Sequence, residues 1–200
     1  MKKNNNIYII AGKLKRRKIP ILYQKKLKPT TNQIRETLFN WLNKKIINAY
    51  CLDCFSGSGA LSIESISRGA KKVTLLEINK KIINNIKKTI KKFNIIEIKT
   101  IHTNTISWLK KKKTNYDIIF LDPPFYSNIL EKIIFLLENN MWLKNNSWIY
   151  IECSKYQNNI KTPKSWFLYK NKTTGLVNYS IYIKKTNYFI ELNKNNKYTL

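Results

Sequence analysis

Two hundred residues, 43% of them hydrophobic, are enough for one well-packed domain and a small appendage, since domains typically run to roughly 100 to 200 residues. The N-terminus (MKKNNNIYIIAGKLKRRK) has too short an apolar stretch for a signal-peptide core, and no uninterrupted apolar run is long enough to cross a bilayer. That argues against an exported or membrane-embedded protein and leaves a soluble, cytoplasmic one as the expectation. The net charge of +27 invites a polyanionic partner, but it comes from 34 Lys and only four Arg beside 26 Asn and 31 Ile, the pattern of A+T-rich codon usage. By itself the charge therefore permits nucleic-acid binding without demonstrating it.

The chain opens with a short apolar strand, IYIIAG (7–12), followed by a basic loop with Lys13, Lys15, Arg16, Arg17 and Lys18, and then a helix from near Thr31 reading NQIRETLFNWL. Ile34, Leu38, Trp41 and Leu42 recur on one face of this helix, which should dock on the sheet domain. From residue 49 onward, apolar runs of strand length alternate with longer amphipathic or lysine-rich stretches, the signature of repeated βαβ units. Strands are predicted at 49–55, 72–77, 95–101, 116–122 and 147–153, with helices at 59–69, 79–93, 105–113 and 128–139. Several consecutive apolar positions in these strands suit parallel strands covered on both faces. Runs 166–171 and 176–185, separated by a Thr-Thr-Gly turn, read as a hairpin closing the sheet. The expected organisation is an N-terminal extension (1–48), an α/β domain (49–185) and an Asn- and Lys-rich tail from 186.

Cys51 and Cys54 lie in the first of these strands and Cys153 in the fifth. Three is an odd number for a disulfide framework in a chain without an export signal, and residues three apart on a strand face opposite ways. Buried thiols are expected, with no metal site. His102, the only histidine, reads as an ordinary strand-end residue, and Lys110 to Lys113 as a solvated helix end.

The first strand runs into DCFSGSGAL (53–61). Gly57 and Gly59 let the chain turn tightly against a ligand while the next helix offers free N–H groups. A dinucleotide fingerprint would need a third Gly where Ser62 stands, and no Walker A pattern occurs. Glu77 ends the second strand beside that turn, where its two oxygens can accept both hydroxyls of a ribose. Asn104 follows the third strand and can bond an adenine edge. Asp122 ends the fourth, so Asp53, Glu77, Asn104 and Asp122 converge on one crevice. An adenosine-containing ligand with a ribose to hold and no pyrophosphate to cradle fits S-adenosylmethionine. The ending of the fourth strand, Asp122-Pro123-Pro124-Phe125, suits the same ligand. The lone pair of an exocyclic nucleobase amine is delocalised into the ring, and two acceptors on its N–H bonds can turn it toward a methyl donor. The Asp122 carboxylate and Pro123 carbonyl, held by rigid proline rings, can be those acceptors, with Phe125 stacking on an everted base.

These residues resemble class I methyltransferases acting on exocyclic amines, whose D-P-P-[FYW] motif Asp122 to Phe125 matches. More narrowly, KPTTNQIRETLFNWL (28–42), CLDCFSGSGALSIESISRGA (51–70) and DIIFLDPPF (117–125) resemble the bacterial 16S rRNA (guanine-N2)-methyltransferase family named for guanine 966. The resemblance implies a Rossmann-like fold with a mostly parallel seven-stranded sheet and S-adenosylmethionine as cofactor. It also implies methylation of a guanine amine in 16S rRNA of an assembled or assembling small ribosomal subunit, by a monomer. Residue by residue, it gives Asp53, Gly57 and Gly59 to the cofactor's methionine end, Glu77 to the ribose and Asn104 to the adenine. Phe55, Ser58, Ile78, Thr105 and Asp122 complete the cofactor-binding set, and Asp122, Pro123, Pro124 and Phe125 form the catalytic motif. The family's Arg-Pro-Thr-Thr-Asp-Arg reads Lys28-Pro29-Thr30-Thr31-Asn32-Gln33 here, so its charged pair is missing. Lys13, Arg16, Arg17, Lys28 and Arg35 are expected, from position and charge, to contact RNA phosphates. Two alternatives are a DNA adenine or cytosine amino-methyltransferase, disfavoured by the lack of chain for a target-recognition domain, and a non-catalytic RNA-binding module, disfavoured by the intact motif and Glu77.

Overall fold

The computed structural model describes residues 6–21, 31–111, 115–124, 129–157 and 160–185. Strands β1 (Asn6–Tyr8) and β2 (Lys18–Pro20) pair antiparallel ahead of helix α1 (Asn32–Leu42). There follow β3 (Tyr50–Asp53), α2 (Ala60–Ser67), β4 (Lys72–Glu77), α3 (Lys80–Lys92), β5 (Ile98–His102), α4 (Thr105–Leu109), β6 (Tyr116–Leu121), α5 (Leu130–Asn139), β7 (Leu143–Ser154), β8 (Trp166–Thr174) and β9 (Val177–Lys184). The seven strands β3 to β9 form one sheet in the order β5-β4-β3-β6-β7-β9-β8. The first five in that order are parallel, and β9 is antiparallel to both neighbours. Helical crossovers impose the parallel part and the tight β8–β9 turn the antiparallel part. Thr174 pairs with Val177, so Gly175 and Leu176 make the turn, with Gly175 at φ +60°.

Two apolar layers cover the sheet. One gathers β1, β2, α1, α2 and α3 with Cys51, and the other α4 and α5 with Cys54. The two thiols thus lie on opposite faces, as strand alternation demands. All three cysteines are free and buried.

The N-terminal segment is wired into this core. Ile7, Ile9, Leu14 and Ile19 join the first layer, and the buried carboxylate of Glu64 on α2 accepts the N–H groups of Ile10 and Ala11 at 2.8 and 3.0 Å. Glu64 also meets Arg35 Nη1 at 3.4 Å and Arg68 Nε at 2.8 Å. Arg35, expected on RNA phosphates, is instead fully buried. Its position shares the docked face with Leu38, Phe39 and Leu42, and Nη2 donates to the Tyr8 carbonyl and Asn32 Oδ1 at 2.8 and 2.6 Å. It is an internal strut and cannot reach a phosphate.

Several boundaries differ from expectation. Asn94 takes a left-handed φ of 54°, so β5 starts at Ile98 rather than 95. Helix α4 ends at Leu109, where the carbonyl accepts Nδ2 of Asn140 and Nε1 of Trp142. Strand β7 begins at Leu143, four residues early, its register with β6 shifting between Tyr116 and Ile118.

Candidate active site at the carboxyl edge of the sheet

Strands β5, β4, β3 and β6 are consecutive neighbours, so their carboxyl ends bring Asn104, Glu77, Asp53 and Asp122 along one edge, where open α/β sheets hold their ligands. Asp53 is buried and its Oδ2 accepts the Ser62 hydroxyl at 2.6 Å. Burial pushes its carboxyl up to about 6, against the Ser62 hydroxyl and the Phe55 backbone, with the charge of Glu77 adding to the rise. Glu77 Oε2 accepts the Gly57 N–H at 3.2 Å and Oε1 the Asn79 N–H at 2.8 Å. Burial raises its pKa as well, opposed by those N–H groups. Each oxygen retains acceptor capacity for a further donor.

The loop between β3 and α2 is pinned. The Ser56 N–H donates to the Leu76 carbonyl at 3.1 Å and the Gly59 N–H to the Ser56 carbonyl at 2.7 Å. Gly59 has φ +78°, a conformation side chains rarely adopt, so the turn that presents α2's first N–H groups favours glycine. Phe55, Gly57 and Ser58 stand partly exposed on this loop, and Ile78 is 64% exposed directly after Glu77.

Asn104 is exposed and caps α4, its Oδ1 accepting the Ser107 N–H at 3.1 Å. Its carbonyl is thus engaged and its amide N–H groups are what it offers outward. Thr105 is buried and its hydroxyl donates to the Cys54 carbonyl at 2.6 Å, so its side chain staples α4 to the end of β3. His102, expected to be a plain strand end, places Nε2 2.9 Å from the Ile78 carbonyl and ties the tips of β5 and β4 together.

Beyond β6, Asp122 is half-buried, Pro123 buried and Pro124 exposed; Phe125 and Lys28 lie outside the described residues. On adjacent β7, the buried Tyr150 hydroxyl donates to the buried Glu152 carboxylate at 2.7 Å, and the charges of Glu152 and Asp122 both raise the Tyr150 pKa beyond what burial does. Sequence reasoning misses this pair, although its signal, an acid at a strand's carboxyl end, is the feature that singles out Asp53, Glu77 and Asp122.

Three of the expected RNA-contacting cations, Lys13, Arg16 and Arg17, lie elsewhere. Lys13 pairs with Glu97 at 2.6 Å, Arg17 lies over the Phe93 ring at 5.2 Å, and Arg16 is exposed. Phe93 and Glu97 precede β5, so this cluster sits at the amino edge, a strand length from Asp122. A hollow of about 490 Å³ also opens there, lined by Phe39, Asn43, Lys44, Ile46 and Arg68 among others; none of the crevice residues borders it.

The acids decide what the crevice suits. Asp53 and Glu77 raise the negative potential beside the α2 N-terminus, and Ser62, in place of a third loop glycine, donates to Asp53. A pyrophosphate would face two carboxylates, whereas a cationic ligand carrying a vicinal diol would find charge and acceptors matched. That is the chemistry of S-adenosylmethionine.

Comparison with known proteins agrees. Residues 7–183 match the protein family described as Conserved hypothetical protein 95. The chain is 54% identical over 186 residues to the ribosomal RNA small subunit methyltransferase D of Buchnera aphidicola subsp. Acyrthosiphon pisum, covering 92% of this chain and 97% of that protein. The chain belongs to this family. Its identity to the Escherichia coli K12 member is 41%, over 91% of this chain and 94% of that one. A solved candidate methyltransferase of Escherichia coli superposes with a TM-score of 0.85 at 38% identity, covering 90% of this chain and 99% of its own. A candidate methylase of Haemophilus influenzae gives 0.80 at 40%, covering 91% and 100%. The family fold, with its mostly parallel seven-stranded sheet, is that of class I methyltransferases.

Proposed function

We propose that this protein methylates the exocyclic N2 amine of a guanine, guanine 966 by family resemblance, in 16S rRNA of the small ribosomal subunit. The observation that carries the reading is the delivery of Asp122-Pro123-Pro124 to the strand tip beside the Asp53–Glu77 crevice. The substrate class is carried from relatives at 41 to 54% identity that are small-subunit rRNA methyltransferases, and the guanine amine from the motif.

S-adenosylmethionine supplies an activated methyl group on a sulfonium. Glu77 accepts the ribose hydroxyls, Asp53 contributes negative charge toward the cationic methionine end, and Asn104 offers amide N–H groups to the adenine. Asp122 and the Pro123 carbonyl take the two amine N–H bonds of the target base and hold its lone pair on the line of attack. Positioning of this kind supplies most of the acceleration, and the proton released from the amine passes to water. We further propose that the protein works as a cytoplasmic monomer; among the described residues no helix is long and apolar enough to cross a membrane.

The test is to incubate the purified chain with unmethylated small subunits and labelled cofactor, then map the modified nucleotide. Asp122→Ala should abolish turnover while cofactor affinity stays within a few-fold. Equal loss of both would show that Asp122 has been given the wrong role.

A further inference from the structure

Of the cations expected to hold RNA, Lys13, Arg16 and Arg17 sit at the amino edge of the sheet, yet the target base must enter at the carboxyl edge, so the crevice needs its own means of gripping the strand. One feature on that edge supplies it. Strand β6 pairs with β7 as far as Leu121 and Ile151, but β7 runs on to Ser154, where it pairs with Val177, roughly 10 Å beyond the last β6 pair at about 3.3 Å per residue. There two turns clasp each other. The Lys155 N–H donates to the Leu176 carbonyl at 2.9 Å and the Gln157 N–H to the Ser154 carbonyl at 2.9 Å. The ledge so formed displays Tyr156, 73% exposed, and Leu176, 50% exposed, with Lys155 Nζ 5.0 Å from the Tyr156 ring centroid. Exposed Lys172 lies on β8, beyond β9 and level with Glu152 through Tyr179.

Tyr156 and Leu176 leave much of their apolar surface outside on this hydrogen-bonded turn, where an external partner can cover it. The charge says which kind. Residues 143–185 carry eight Lys and a single acid, Glu152, and that acid is buried. Over the whole chain 38 basic residues stand against 11 acids, so this stretch is more one-sided than the composition that A+T-rich codon usage produces overall. An aromatic ring with a lysine ammonium beside it, in a stretch whose one acid is buried, is the arrangement that stacks an unpaired base while holding its phosphate.

We propose that the Tyr156 ledge binds single-stranded rRNA beside the target guanine, one unpaired base stacking on Tyr156 with its phosphate on Lys155 and a neighbouring phosphate on Lys172. This rests on the function proposed above and names how the same site engages its substrate. The experiment uses the full chain, unmethylated small subunits and labelled cofactor. Tyr156→Ala should raise KM for subunits at least fivefold with cofactor affinity within twofold. Tyr156→Trp should restore KM and Tyr156→Leu should not, because stacking needs a π face. Phe135→Ala, at an exposed ring on α5, should change nothing. A photocrosslinking residue at position 156 should capture rRNA within a few nucleotides of the methylated one. An unchanged KM in Tyr156→Ala, full rescue by Leu, or crosslinking to a ribosomal protein instead of rRNA overturns the ledge while leaving methyl transfer intact. Failure of the wild-type chain to label small-subunit rRNA at all removes the functional reading, and the ledge with it.

Discussion

At the scale of single residues, Asp53 shows how the binding role proposed for it opposes stability. Its carboxyl lies at about 6 in the folded chain against an ordinary 3.8, chiefly through burial. Because the folded value lies above the unfolded one, the folded protein holds more protons between those pH values. The group's stabilising contribution is therefore fully present below pH about 4 and lost as pH rises through about 6. Asp53→Asn keeps an acceptor for the Ser62 hydroxyl and removes the buried charge. It should stabilise the ligand-free protein above pH 7 by up to about 3 kcal/mol, at roughly 1.36 kcal/mol per unit, and by little at pH 4. The same change should weaken cofactor binding. Urea unfolding at the two pH values and titration calorimetry check both, and a variant less stable at pH 8 would show that the carboxylate is better paired than its surroundings indicate. Ser62 makes a similar point about legibility: its mismatch with the dinucleotide fingerprint is plain in the sequence, but its bond to Asp53 requires the loop and helix to be placed.

Among the elements, the junction between the N-terminal segment and α2 concentrates the polar risk. Glu64 alone satisfies two backbone N–H groups and two guanidinium groups, and Arg35 behind it is fully buried, its pKa lowered by desolvation and supported by Glu64. Removing one partner of such a pair strands the other charge away from water. Glu64→Gln should therefore cost about 3 to 5 kcal/mol and make residues 6–21 protease-sensitive. Replacing Arg35 by Met in the same chain should recover much of the loss, which denaturant midpoints of the single and double variants would show. Helix periodicity marks Ile34, Leu38, Trp41 and Leu42 as the docking face correctly, with Trp41 stacked 5.4 Å from Tyr179. It cannot mark Arg35, because nothing local distinguishes an arginine on the buried side of a helix from one turned to solvent. The acid that neutralises it lies 29 residues away.

For the molecule as a whole, the question is how much of the +27 charge touches RNA. Each phosphate neutralised steepens the logarithmic salt dependence of binding by roughly 0.7 to 0.9. Replacing Lys155 and Lys172 by Gln should reduce the slope by about 1 to 2 on that scale. Replacing Lys13, Arg16 and Arg17 together should reduce it less, since Lys13 is paired with Glu97 and all three stand at the far edge. A larger effect from the amino-edge cluster, read from binding at several salt concentrations, would mean that the rRNA wraps the full height of the sheet.

The sequence by itself determined the alternation of strands and helices, the closing hairpin, the opposite facing of Cys51 and Cys54, and the set of strand-end acids, because each depends on spacing along one local stretch. Tertiary structure alone decided which cations are free and where they stand, since charge pairing depends on distant partners such as Glu64 and Glu97. It also decided that Asn104 and Thr105 are partly engaged in capping and stapling α4. The same holds for Tyr156, an unremarkable loop tyrosine in the chain that becomes a ledge only when two turns far apart in sequence are hydrogen-bonded beside the crevice.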